Sequence, residues 1–274
     1  MGAFAKRERS IRIIGCPVDF VEITPENLTS WVPVIVCPGW IEVPESWGHH
    51  IEQLVARGRK VIAFDAPHGL PLPVKSTWRG HKIELQKMET LVAVMNELGI
   101  KRADLIGRSE GAIWALLTAY YYPKMVRNVV LQNPAGLVGW SFQPFIWRWL
   151  RDVKQGFFND EGDPPPFAPV SGGTVMARSW TRTAREVWAI MWSDMRRTLR
   201  EVKKDSHKIA IVTTYQDRLF PVELLRSARE IVDMFVILHG SHTSFFSRPR
   251  EFTDAIAFAL VDLEELLRQE ANMK

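Results

Sequence analysis

Apolar and polar positions along this chain switch between two periods, close to two and close to 3.6 residues, and the switches predict the elements. IRIIG (11–15) and VDFVEI (18–23) predict two short strands around Cys16-Pro17. VPVIVC (32–37) is continuously apolar, as expected of a strand buried on both faces, and it ends at Pro38-Gly39. Trp47, Ile51, Leu54 and Val55 fall at helical spacing within 45–58, where Gly58 closes the helix. VIAFD (61–65) predicts a further strand. Leu85, Met88, Val92 and Met95 share one helix face, which Gly99 ends. ADLIG (103–107) and VVLQN (129–133) predict strands on either side of the helical AIWALLTAYYY (112–122). KIAIVTTY (208–215) and MFVIL (234–238) predict two more strands, with ELLRSAREIVD (223–233) as the helix between them and 249–267 as a final amphipathic helix.

Strands and helices that alternate in this way predict an α/β fold, a mostly parallel central sheet of about eight strands with helices on both faces. The alternation breaks between 137 and 206. Trp140, Trp147, Trp149, Trp180, Trp188 and Trp192 lie there, and Pro164-Pro165-Pro166 and Gly172-Gly173 divide the segment into helical pieces. This reads as a helical cap inserted between the sixth and seventh strands, so that 1–136 and 207–274 form the core and 137–206 the cap. Aromatic residues at helical spacing are usually core. A small cap has little interior, however, so some rings must face the main domain, and Trp140, Trp147 and Trp188 are expected to line a substrate pocket.

Composition narrows the function classes. A formal net charge of +4 on 274 residues does not argue for nucleic acid or a membrane surface. The basic run RRTLREVKK (196–204) is expected to be a solvated helix face. Cys16 and Cys37 imply no disulfide framework, and a cytoplasmic location is expected. The charged MGAFAKRERS is not followed by an apolar segment, so no signal peptide is expected, and no 18-residue apolar run predicts a membrane span. His49 and His50 would point about 100° apart on a helix and suit no shared metal. No phosphate loop or dinucleotide fingerprint is present, and no cofactor or metal is expected. The partner expected is a small apolar ester, with the protein a monomer or homodimer.

The chemistry gathers around LIGRSEGAIW (105–114). Ser109 stands between a strand and a helix, at the end of the sheet where ligands bind. Side chains at Gly107 and Gly111 would collide with neighbouring backbone in the tight turn, and the following helix points its amides at the site. Serine needs a base, and the base an orienting acid. Asp217, just past the strand KIAIVTTY, is the acid expected; Asn133, after the preceding strand, cannot carry the charge. His242 is the base expected, with His239 as its competitor on the strand end. His49, His50, His68, His81 and His207 read as surface or loop positions, His68 near the entrance. For Arg108 and Glu110 a surface ion pair is weighed against a substrate contact, with Arg108 carried as a pocket candidate.

These stretches together resemble the α/β-hydrolase superfamily across nearly the whole chain. VPVIVCPGW resembles its strand and glycine loop, FDAPHG its Asp-x-Pro turn, LIGRSEGA its nucleophile elbow, YQDRLFP its acid loop and GSHTSFFSRPREF its histidine loop. The order Ser109, Asp217, His242 is the family's order. The resemblance implies an oxyanion hole from the backbone amides of Trp40 and Glu110, with Gly39 and Trp40 beside the substrate. Pro38 stands where the family has a histidine, the FDAPHGL turn is one residue short, and Ala112 replaces a common glycine.

A serine at position 109 implies acyl transfer, and the reading is an esterase acting on an apolar acyl or aryl ester through an acyl-enzyme. Carbon–carbon bond hydrolysis, cofactor-free perhydrolysis and a ligand receptor on the same scaffold are the alternatives. An aminopeptidase would want a carboxylate in the cap, where Asp160, Glu161, Asp163, Glu186 and Asp194 are available.

Overall fold

The computed structural model describes residues 4–13, 16–64, 82–139, 142–158, 180–205 and 207–273. Eight strands form one sheet: β1 (Phe4–Ile13), β2 (Cys16–Pro25), β3 (Ser30–Cys37), β4 (Arg59–Phe64), β5 (Ala103–Arg108), β6 (Val126–Gln132), β7 (Lys208–Thr214) and β8 (Met234–Leu238), in the order β1-β2-β4-β3-β5-β6-β7-β8. β2 runs antiparallel to both its neighbours, and the pairs from β4 through β8 are parallel. The sheet has the predicted class. Its central strands are apolar because helices cover both faces, so neither set of alternating side chains meets water.

One face is covered by α1 (Gly48–Ala56) and the long terminal helix α9 (Pro249–Asn272), whose Phe252, Ile256, Leu260 and Leu263 pack with Leu54 and Val55. The other carries α2 (Lys82–Glu97) and α3 (Gly111–Tyr121). Every residue of α3 from Gly111 to Ala119 is buried, which fits a helix apolar all round its circumference. Between β6 and β7 come α4 (Phe142–Phe158), α5 (Trp180–Trp192) and α6 (Arg196–Lys204). α6 packs on α3 through buried Leu199 and Val202, so its packing places it in the layer of α3.

Two elements differ from expectation. β1 begins at Phe4 rather than near 11, paired with β2 residue for residue from Phe4↔Pro25 to Ile13↔Cys16. Its side chains are exposed through Ser10, so backbone pairing, not burial, forms this edge strand, and no apolar period marks it. The helix expected over 223–233 is a 3-10 turn (Val222–Leu225) and one α turn, α7 (Arg226–Arg229), and a further turn, α8 (Ser244–Ser247), leads into α9. Leu225 and Ala228 reach the core and half-buried Ile231 and Val232 pack against it, so the apolar stripe that suggested a longer helix is present, but its later positions lie beyond the single α turn.

Candidate active site

Among the described residues, the sheet's carboxyl edge carries three non-glycine residues in left-handed backbone, Ile41 (φ 57°), Ser109 (φ 50°) and Asn133 (φ 42°). They follow β3, β5 and β6, the strands at the middle of the sheet. Such conformations persist only where surrounding structure enforces them, and they cluster at functional sites.

At the turn after β5, the Ser109 amide donates to the Gln132 carbonyl (2.9 Å), and its carbonyl accepts from Ala112 (3.1 Å) and Ala135 (3.0 Å). A Cβ on Gly107 would lie 2.7 Å from the Gly111 carbonyl oxygen, and one on Gly111 would collide with the Cys37 carbonyl. Only glycines let β5 turn into α3 this tightly against β3. Ser109 is itself nearly buried.

Asp217 and His242 come together from the loops after β7 and β8. His242 Nδ1 lies 2.8 Å from Asp217 Oδ2. Asp217 Oδ1 accepts the amides of Leu219 and Phe220, both at 2.8 Å, and Asn133 Nδ2 donates to Oδ2 and to Thr214 Oγ1 (2.8 Å). Burial pushes the Asp217 carboxyl up, but the attraction and hydrogen bond of His242, with the Phe220 amide and Asn133, outweigh it and hold the pKa below the ordinary value. Asn133, set aside as an acid, thus serves Asp217 as a donor. The competing His239 is exposed, with its carbonyl bonded by Arg248.

Arg108 is not on the surface. Its guanidinium pairs with Glu42, donates to the His242 carbonyl (2.8 Å) and lies over the rings of Phe245 and Phe246 at 4.7 and 4.5 Å. Glu42 in turn accepts the Gly39 amide (2.8 Å) and Trp47 Nε1 (3.0 Å). One buried ion pair therefore joins the glycine loop, the elbow and the histidine loop. Glu110 is buried too, paired with Lys87 (2.5 Å), which also meets Glu186 of α5 (2.8 Å). Burial pushes the Glu84 and Glu110 carboxyls up, and repulsion within the cluster adds to it. A second acid of the same edge, Asp152 on α4, accepts the amides of His242 (3.1 Å) and Thr243 (3.2 Å).

The pocket candidates fall apart. The Trp40 ring packs on Trp149, centroids 5.2 Å apart, beside the site. Trp147 and Trp188 are more than half exposed, the latter stacked on Trp192. Trp140, the FDAPHG turn, His68, His81, Asp160, Glu161 and Asp163 lie outside the described residues. Asp194 is exposed and pairs with Arg196 at 2.6 Å. His50 and His207 are buried rather than superficial. His50 bonds Thr253 Oγ1 (2.9 Å) and the Phe245 carbonyl (3.0 Å), and burial pulls its pKa down to about 3.

Glu42 and Asp152 are what the sequence reading missed, and Arg108, carried as a pocket candidate, is instead bonded to Glu42 and the His242 carbonyl. Asp152 had a signal: it sits seven residues after Phe145 and three after Trp149, on the apolar face of α4. His50, three after Trp47, had the same one.

Fold and site geometry meet a family model, that of the alpha/beta hydrolase family, which matches residues 34–255. The chain belongs to that family. A 2-hydroxy-6-oxo-6-phenylhexa-2,4-dienoate hydrolase of Burkholderia cepacia is 33% identical over 108 residues, 39% of this chain and 35% of that protein. A 2-hydroxy-6-oxo-2,4-heptadienoate hydrolase of Pseudomonas putida is 23% identical over 245 residues, 80% of this chain and 78% of that one. The match to a Pseudomonas 2-hydroxy-6-oxononadienedioate hydrolase likewise spans only 40% of its length. Among solved structures, bromoperoxidase from Bacillus anthracis superposes with a TM-score of 0.70 at 17% identity, covering 93% of this chain and 99% of that one. Among the described residues, no helix is long and apolar enough to cross a membrane.

Proposed function

We propose that this α/β hydrolase is a serine esterase. Ser109 attacks the carbonyl carbon of a carboxylic ester that carries an apolar acyl or aryl group. His242 takes the serine proton and passes it to the departing alkoxide, and Asp217 orients the imidazole and balances its charge. The acyl-enzyme is then hydrolysed by water, with His242 again as base. The amides of Glu110 and Trp40 are the oxyanion donors in this reading; the Gly39 amide, already bonded to Glu42, does not compete. The insert serves as a cap over the acyl group.

The observation that carries the reading is the buried 2.8 Å His242–Asp217 pair on the same sheet edge as a left-handed serine held between two obligatory glycines. A second reading has support in the relatives' names: hydrolysis of a 2-hydroxy-6-oxo-dienoate at a carbon–carbon bond. That substrate carries a carboxylate, and Arg108, the cation next to the nucleophile, already serves Glu42 and the His242 carbonyl. Ester hydrolysis therefore leads.

The test is turnover of p-nitrophenyl esters of increasing acyl length, beside 2-hydroxy-6-oxo-6-phenylhexa-2,4-dienoate, by wild type and Ser109→Ala. Sustained ester turnover that falls by about 10⁶ in the variant is expected. Turnover of the dienoate alone selects the second reading, and ester turnover that survives Ser109→Ala removes the first.

A further inference from the structure

One helix of the insert touches three loops of the candidate site, those of the glycine, the acid and the histidine. Trp149 of α4 packs its ring on Trp40 of the glycine loop. Arg148 Nη1 donates to the carbonyl of Arg218, next to Asp217, at 3.0 Å. Asp152 meets the histidine loop: Oδ1 accepts the His242 amide (3.1 Å), Oδ2 the Thr243 amide (3.2 Å), and its own carbonyl accepts Thr243 Oγ1 (3.4 Å). Asp152 is fully buried, and the Arg218 amide also bonds it.

We propose that Asp152 is a positioning residue for His242, which makes the placement of the base depend on α4 being seated on the three loops. The main chain of His242 is held at both ends, but by different parts of the molecule. Its carbonyl is bonded by Arg108 of β5, its amide by Asp152 of the insert. The first anchor comes with the sheet. The second is present only while α4 is docked. Without it the residue keeps one backbone tether and the contact of its ring with Phe220 (5.4 Å) and Asp217 (2.8 Å), and it gains freedom to swing about the carbonyl. A displacement of about 1 Å at a reacting group costs on the order of 10²-fold in rate.

The carboxylate is held against the preference of its surroundings. Burial pushes the Asp152 pKa up to about 6, repulsion from Asp217 adds to this, and His242 with the amides of His242 and Arg218 works the other way. The groups facing it are Asp217 and His242 from their loops and Arg108 from β5; Arg148 of its own helix is turned to the Arg218 carbonyl. The native state thus holds a proton that the unfolded chain gives up between the ordinary carboxylate pKa and about 6, so the ionised form lowers stability at neutral pH. An ionised acid kept where it costs stability, on the amides of the base, is there to position the base. Below about pH 6 it takes up a proton, one oxygen ceases to accept, and the grip on the loop weakens.

The proposal rests on the esterase reading, and the test separates the two. Asp152→Ala and Asp152→Asn are compared with wild type and Ser109→Ala in kcat, KM and pH profile on a p-nitrophenyl ester. The low-field proton resonance between His242 and Asp217 and the thermal midpoint at pH 8 are recorded for each. Asp152→Ala is expected to lower kcat roughly 10–100-fold with KM within about twofold, and to broaden the resonance. Asp152→Asn, which keeps one acceptor oxygen, should recover part of both. Both variants should lose the Asp152 contribution to the acid limb and unfold near the wild-type midpoint. If the esterase reading fails, the resonance still decides: unchanged in folded Asp152→Ala and Asp152→Asn, it overturns the proposal. So does a fall in kcat that only tracks a fall in midpoint while pH profile and resonance keep their wild-type form. Should Asp152→Ala not fold, Asp152→Asn carries the comparison.

Discussion

Arg108 makes three kinds of contact that no single role would demand: an acid on the glycine loop, a carbonyl on the histidine loop, and two phenyl rings. Removing one partner of a buried pair leaves an uncompensated charge and costs about 3–5 kcal/mol, whereas replacing both by apolar groups is often nearly neutral. Glu42→Gln is therefore expected to lower stability by about 3 kcal/mol, read by urea unfolding. The double variant Glu42→Leu/Arg108→Met should regain most of that loss yet stay deficient in kcat, because the Gly39 amide and the His242 carbonyl have lost their partners. A double variant with wild-type turnover would show that the pair only fills space. None of this was legible from RSEG or PGWIE, since residues 66 apart reveal a pairing only once β3 and β5 lie side by side.

At the level of elements, α2, α3 and α5 meet at Lys87. Its ammonium sits among Glu84, Glu110 and Glu186. Burial alone would push its pKa down; the three carboxylates overcome that and push it up. Lys87→Met leaves the carboxylates without a cation. Since Glu84 and Glu110 already have raised pKa values, the native state binds protons that the unfolded chain does not, and stability must rise as pH falls. Lys87→Met is expected to lose at least 3 kcal/mol at pH 8 and to recover part of it by pH 5, measured by denaturant unfolding at both values. A loss that is flat with pH would mean the carboxylates are not what Lys87 balances. The inner strands were legible because burial on both faces leaves an unbroken apolar run. The extents of β1 and α7 were not, because main-chain pairing carries the exposed start of β1, and the apolar stripe over 225–232 continues past the one turn that α7 makes. Buried polar residues such as Asp152 and His50 lie on helical faces that an apolar count alone passes over.

Across the whole molecule, chemistry and cohesion occupy opposite ends of the sheet. The candidate site lies at the carboxyl ends of the strands. At the other end, Asp104 at the start of β5 is bonded by Arg59 of β4 (2.8 Å) and Arg127 of β6 (2.8 Å), and Glu264 of α9 joins the same two arginines. Asp104→Asn should cost about 3–5 kcal/mol, lowering the thermal midpoint by roughly 10 °C, while kcat and KM at 25 °C hold their wild-type values. Loss of turnover in the folded variant would mean that the two ends are coupled through the strands. The succession of strands and helices along the chain, and Asp217 and His242 as neighbours, could be read from the sequence, because each depends on local pattern. The suspension of His242 between sheet and insert could not, because it belongs to no segment.

That suspension bears on what can be exchanged. Glu42 and Arg108 form a charge pair that ties the glycine loop to the elbow and, through the His242 carbonyl, to the base. A glycine loop without an acid at position 42 would strand Arg108; an elbow without an arginine at position 108 would strand Glu42. Recombination with a parent that lacks either partner should therefore succeed only where crossovers keep residues 39–42, 108 and 242 from this chain. In such an exchange the glycine loop, the elbow and the histidine loop have to travel together.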